Sequence, residues 1–183
     1  MLSELSSDAY EEPPQTYSLT PISSLPTQFF LTSGSGHVHV LNWPEMKNQL
    51  TLNAHPATCI CIEFDPTGQY FAVGSADASV SIWDAEEMAC LRTISRLEWP
   101  ARTISFSHDG RLIASASEDL IIDISSTETG EKIVDVCNQA PTFTVAFHPA
   151  RYLLAYACDD KEYNRDAGTI KLYGLPSEPH GTG

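Results

Sequence analysis

A beat of 41 to 42 residues constrains this chain more than any other feature. Phe64-Asp65-Pro66-Thr67-Gly68 returns as Phe106-Ser107-His108-Asp109-Gly110 and again as Phe147-His148-Pro149, at separations of 42 and 41 residues. Runs that begin at Phe30, Phe71, Ile113 and Leu154 keep the same time, at 41, 42 and 41. The fullest unit lies between Ala54 and Asp84. There the apolar runs Cys59 to Phe64 and Tyr70 to Gly74 flank a Pro-Thr-Gly turn, and an alternating run, Ser79 to Trp83, follows Ser75-Ala76-Asp77-Ala78. Short alternating runs bounded by Gly, Pro and Asp describe strands joined by tight turns. A repeat of this length filled with strands predicts an all-β fold of radially arranged four-stranded meanders, a propeller.

The unit also resembles a WD-repeat blade. That family's pattern is a Gly-His pair, a Ser or Thr on the second strand, an Asp in the next hairpin and a Trp-Asp closing the third strand. Here the slots hold Ala54-His55, Val73, Asp77 and Trp83-Asp84. The resemblance implies a hydrogen-bonded chain through His55, Asp77 and Trp83, because a buried imidazole and carboxylate are tolerable only when each is partnered. Val73 cannot donate, so the chain is expected to be shortened. In the other units the Trp slot holds Leu41, Ser125 and Tyr173, and Trp99-Pro100 and Ala140-Pro141 replace the His slot.

Three stretches follow from composition and period. Residues 1–26, rich in Ser, Pro and acids, are expected to be disordered apart from a strand-like Tyr17-Ser18-Leu19. Residues 27–176 hold about three and a half blades, with no convincing first strand in the first of them. Residues 177–183 are expected to form a flexible tail. Ser125 to Tyr173 is stretched to 48 residues by a polar loop after Cys158. Propellers close with typically 4 to 8 blades, so an incomplete ring is expected. Either the chain is a fragment of a longer propeller or another chain completes the ring.

Charge excludes more than it suggests. Ten Lys and Arg stand against 24 Asp and Glu, a formal charge of −14, with no basic residue before Lys47. Affinity for nucleic acid comes chiefly from cations that neutralise phosphates, so direct nucleic-acid binding is not expected. No run approaches the roughly 20 apolar residues of a membrane span, and the acidic start is unlike a signal peptide. The five cysteines lie in or beside apolar runs without CxxC spacing, which suits reduced thiols.

No catalytic constellation is expected: Gly-x-Ser-x-Gly, a phosphate-binding Gly loop and His-Glu-x-x-His are all missing. His37, His39, His55, Cys59 and Cys61 are potential metal ligands. Each of the pairs His37/His39 and Cys59/Cys61 shares one face of a strand, but the two pairs fall in different blades. Asp159, Asp160, Glu162 and Asp166 lack the ordered spacing of a calcium loop. Neither a metal, a cofactor nor a small-molecule substrate is expected. Arg102 and Phe143 each follow a Pro by two residues at the entry to a first strand. With Trp99 they are candidate partner-binding residues, since Arg and aromatics anchor interfaces. The competing expectation is that Phe143 packs inward and Arg102 pairs with a carboxylate.

Longer phrases narrow the resemblance. Asn53-Ala54-His55-Pro56, Ser95-Arg96-Leu97-Glu98-Trp99-Pro100, Pro141-Thr142-Phe143-Thr144-Val145-Ala146 and Ala167-Gly168-Thr169-Ile170-Lys171-Leu172-Tyr173 are similar to the C-terminal half of the THO complex subunit 3 family, over Phe29 to Pro176. The resemblance implies a non-catalytic nuclear scaffold of the THO/TREX assembly, coupling transcription to mRNA processing and export, with other THO subunits as partners. An unrelated WD-repeat adaptor, such as a ubiquitin-ligase substrate receptor, would carry the same period and stays open.

Overall fold

A computed structural model describes residues 16–19, 28–158 and 169–175. Among these residues the chain forms fifteen strands in four antiparallel sheets, and each sheet is a meander in chain order. The first blade is β1 (Thr16–Leu19), β2 (Gln28–Thr32), β3 (His37–Asn42) and β4 (Asn48–Asn53). The second is β5 (Cys59–Phe64), β6 (Tyr70–Ser75), β7 (Val80–Asp84) and β8 (Ala89–Ile94). The third is β9 (Thr103–Phe106), β10 (Leu112–Ala116), β11 (Ile121–Ser126) and β12 (Lys132–Cys137). The fourth has β13 (Thr142–Phe147), β14 (Leu153–Cys158) and β15 (Thr169–Gly174).

Two expectations are corrected here. The first blade does have a first strand: β1 pairs along β2 from Thr16↔Thr32 to Leu19↔Phe29. It is the strand-like Tyr17-Ser18-Leu19 stretch, extended by Thr16 and set inside the acidic, Ser/Pro-rich segment apart from the blade it completes. The rest of residues 1–26, the 177–183 tail and the polar loop beyond Cys158 lie outside the described residues. The beat from first to second blade is also 42 rather than 41. The matched hairpin bonds, Ser33 N–H to His37 C=O and Ser75 N–H to Ser79 C=O, both 3.0 Å, align Phe30 with Ala72 instead of Phe71. Phe30 accordingly packs on the following blade, its ring 4.9 Å from Phe64 and 5.4 Å from Phe71.

The first strands β1, β5, β9 and β13 are neighbours in that order, and no comparable packing of β13 on β1 closes a ring among the described residues. Alternation along each strand sends successive side chains to opposite neighbours. Ala72, Val80 and Ile82 pack forward on Ile104, Phe106 and Ile113, while Phe71, Val73 and Trp83 pack back on the first blade. Ala114, Ile122 and Ile124 repeat the forward layer against Val145, Leu154 and Tyr156. Each such buried Ile or Phe contributes about 1.5–3 kcal/mol. Cross-strand pairing gives the fourth blade the same forward layer, Ala157↔Ile170 and Ala155↔Leu172. There it is bare, with Ile170 77% and Leu172 66% exposed.

A backbone stitch recurs at every junction. The N–H of Cys59, Ala101 and Thr142 donates to the carbonyl of Ser33, Ser75 and Ser117 in the preceding blade, at 3.1, 2.9 and 3.2 Å. Each blade's second hairpin is thereby fixed to the chain entering the next.

Candidate functional site

The side chains singled out in the second blade converge. His55 enters from the β4–β5 linker, and its Nδ1 lies 3.1 Å from Asp77 Oδ2 and 3.2 Å from Ser79 Oγ. Its Nε2 lies 2.8 Å from Ser81 Oγ and 3.2 Å from the Val73 carbonyl oxygen. The Trp83 indole N–H donates to Ser81 Oγ at 2.7 Å. With a proton on Nδ1 the chain runs in one direction: indole to hydroxyl, hydroxyl to Nε2, Nδ1–H to carboxylate. The chain is therefore not shortened by Val73. Ser81 lies directly across from Val73, and the hydroxyl expected on the second strand is supplied by the third.

Burial works to raise the Asp77 carboxyl. The Ser79 hydroxyl, the facing His55 and the Ser79 N–H outweigh it and hold the group below its ordinary value. Removing the Ser81 hydroxyl orphans the Trp83 indole N–H, and removing the Asp77 carboxylate takes the main acceptor from His55 Nδ1. Ser81→Ala and Asp77→Ala are each expected to lower stability by about 1–3 kcal/mol in urea unfolding. A melting temperature equal to wild type for Ser81→Ala would remove Ser81 from the network.

The third blade solves the same problem with ions. Arg96, not Trp99-Pro100, fills the role of the missing His. Its Nε and a terminal nitrogen donate to Asp123 at 2.6 and 2.9 Å, a second reaches the Gly130 carbonyl at 3.1 Å, and the Ser125 hydroxyl joins the cluster. Asp123 and Ser125 are buried on β11, at the positions that Ser81 and Trp83 hold on β7, 42 residues earlier. Asp119, in the slot of Asp77, instead caps the linker, accepting the N–H of Glu98 at 2.9 Å and of Trp99 at 3.3 Å.

The candidate partner-binding residues lie at one end of the sheets. Arg102 N–H donates to Ala116 C=O at 3.0 Å, and its guanidinium pairs with Glu118 at 2.7 Å. Phe143 does not pack inward: it is 48% exposed, and Trp99 53%. Cys59 and Cys61 do not share one strand face as expected, because a register shift between them turns Cys59 into the first–second blade core and Cys61 toward the second–third. Burial pushes both thiols up to about 12, so they stay protonated and unreactive.

One half-buried carboxyl has no signal in the sequence. Glu63 on β5 accepts the Phe106 N–H at 3.4 Å and the Ser105 hydroxyl at 3.5 Å, bridging two blades. Ser105, its counterpart on β9, accepts the Phe147 N–H at 3.1 Å. Burial pushes Glu63 from 4.5 up to about 7, although both hydrogen bonds pull the other way. The folded state then holds an extra proton between those values. The stability this contributes is complete below the unfolded value and is lost as pH rises through about 7. Glu63→Gln is expected to raise stability at pH 8 by on the order of 2 kcal/mol and to change little near pH 4. Equal gains at both pH values in thermal melts would contradict it.

Comparison with known proteins agrees with this geometry. The family described as WD domain, G-beta repeat matches residues 46–84 and 89–122. The chain is 52% identical over 151 residues to THO complex subunit 3 of Arabidopsis thaliana, spanning 81% of this chain and 48% of that one. It is 39% identical to WD repeat-containing protein AAC3 of Dictyostelium discoideum over 81% of this chain and 29% of the relative. It is 32% identical to meiotic recombination protein rec14 of Schizosaccharomyces pombe over 58% and 36%. The chain thus spans about half, or less, of the relatives it matches. Meandering blades on a fixed beat, a His–Asp–Ser–Trp chain and the matched repeats make this a WD-repeat protein similar to THO complex subunit 3, folded as a partial propeller.

Proposed function

We propose that the chain is a non-catalytic scaffold that holds partner subunits of a nuclear THO assembly, within the TREX machinery that couples transcription to mRNA processing and export. The observation that carries this reading is 52% identity across 81% of the chain to a THO subunit, against 39% over the same share for another WD-repeat protein. The polar clusters favour it too: His55, Asp77, Ser81 and Trp83 satisfy one another, as do Arg96, Asp123 and Ser125, which is the arrangement of structural networks rather than of groups awaiting a substrate. A formal charge of −14 leaves RNA contact to the partners.

An affinity pull-down of the tagged chain from nuclear extract is expected to return THO subunits. The purified chain is expected to show no micromolar RNA binding at about 0.15 M salt. Recovery of ubiquitin-ligase components without THO subunits would replace the reading, and micromolar RNA binding would remove its second half.

A further inference from the structure

One cross-strand pair recurs on the forward face of successive blades. Ala72 stands opposite Ile82 and Ala114 opposite Ile124, and all four are fully buried at a blade junction. In the fourth blade Ala155 stands opposite Leu172 and Ala157 opposite Ile170, and no described blade follows. Ile170 and Leu172 are the two most exposed large apolar side chains among the described residues. Two positions apart on β15, they share one face. Thr144 and Ala146 on β13, both exposed, lie beside Ala157 and Ala155. The face is a ridge of two large apolar side chains next to a floor of small ones. No charged side chain stands among these residues, in a chain of formal charge −14. Exposed apolar residues scattered singly are ordinary, whereas a contiguous strip marks an interaction surface.

The opposite end of the row decides what covers it. Inside the molecule a forward layer is covered by the back of the next blade, and only the first blade has no described blade behind it. Phe30, Val38 and Val40 face the second blade, so alternation turns Leu31 and Leu41 the other way. Leu31 and Leu41 are nevertheless buried. That side offers no bare layer to a second copy, and stacking of copies forward on back is disfavoured. The bare face of the fourth blade remains, and it is complementary to itself, because a twofold axis sets a ridge over a floor twice. We propose that a second copy of this chain covers the forward face of the fourth blade, Ile170 and Leu172 of each copy seating over Ala155 and Ala157 of the other.

The size of the face sets the strength. Three strands about 4.8 Å apart and about five residues long, at about 3.3 Å each, give a footprint of roughly 14 by 17 Å. That is small beside the roughly 800 Å² that each partner buries in a standard interface, so the dimer is expected in the micromolar range. Two copies of charge −14 also repel at long range, and salt screens that repulsion. The dimer should therefore tighten as salt is added, the reverse of association driven by opposite charges. The THO reading is not needed for this pairing, which rests on the fourth blade alone.

Sedimentation velocity of the purified full chain tests it. Between about 1 and 200 µM the chain is expected to pass from monomer to dimer and to stop there. Leu172→Glu, and Ala155→Leu, which fills the floor, are each expected to weaken the dimer at least about tenfold. Ile133→Glu, at an exposed position on the outer strand β12, should leave it unchanged. Since Leu172 is exposed in a single copy, Leu172→Glu should keep the melting temperature of the dilute chain and lose only its rise with concentration. Hydrogen exchange is expected to slow with concentration across residues 153–158 and 169–174 but not across 28–42. A monomer at the highest concentration, species that grow past the dimer, a dimer untouched by Leu172→Glu, or slowing across 28–42 would overturn the proposal.

Discussion

Arg96→Met is expected to lower stability by about 3 kcal/mol, the largest loss from any single polar side chain here. Asp123 is buried, and Arg96 supplies two hydrogen bonds to its carboxylate and the balancing charge. Removing one partner of a buried pair costs about 3–5 kcal/mol because the other charge is left uncompensated; partial exposure of Arg96 puts the expectation at the low end. Arg96→Lys is not conservative, since an ammonium cannot reach Asp123 and the Gly130 carbonyl together with one planar fork. The double variant Arg96→Met, Asp123→Leu should recover most of the loss, because a well-packed apolar pair can match a buried ion pair. Urea unfolding of the single and double variants decides the matter. A loss below about 1 kcal/mol for Arg96→Met would mean that the pair behaves as a surface salt bridge.

Gly36→Ala is expected to cost at least as much, by a different route. Gly36 has φ of +85° and a methyl added there would stand 2.1 Å from the His55 carbonyl oxygen and 2.8 Å from that of Ala57. Both oxygens belong to the linker entering the second blade, and the Gly36 carbonyl itself accepts the N–H of Ala54 and His55 at 3.1 and 3.0 Å. The side chain cannot be fitted without parting the β2–β3 hairpin from the segment that positions His55. Backbone strain accounts for about 1 kcal/mol, and the clash should take the total to on the order of 3–5 kcal/mol. Gly130→Ala separates the two terms: its φ is +72°, but the added methyl meets nothing closer than Arg92 Cδ at 3.4 Å. It should cost only the strain. Similar melting temperatures for the two variants would dissolve the argument from the clash.

The meander was legible because alternation and turn residues are local signals, and the Gly-Pro-Asp punctuation falls where β5, β6 and β7 end. His55, Asp77 and Trp83 were legible because each occupies its own slot in a linear pattern. Ser81 was not, since its equivalence to the second-strand hydroxyl exists only through cross-strand register with Val73. Arg96 escaped for a different reason: it stands 41 residues after His55, on the beat, but the Pro that follows Trp99 matches the Pro that follows His55 and shifts the apparent slot three residues on. The alignment of Phe30 with Phe71 matched side chains rather than hairpins, and only the turn hydrogen bonds correct it. The strand character of Tyr17-Ser18-Leu19 was legible, but its place as the first strand of the first blade was not, because only the pairing of Thr16–Leu19 with β2 shows it.

The bare forward layer of the fourth blade sets the direction in which the molecule comes apart. An interior blade is clamped on two sides, whereas Ile170 and Leu172 have lost one side already, and in a stack governed by nearest-neighbour interfaces the unit with one interface opens first. Peeling away β13, β14 and β15 would strip cover from Ala114, Ile122 and Ile124 and so recreate, one blade further back, the same uncovered end. Unravelling of this kind runs as a front from the Thr169–Gly174 edge toward the second blade, each step leaving behind a copy of the state that began it.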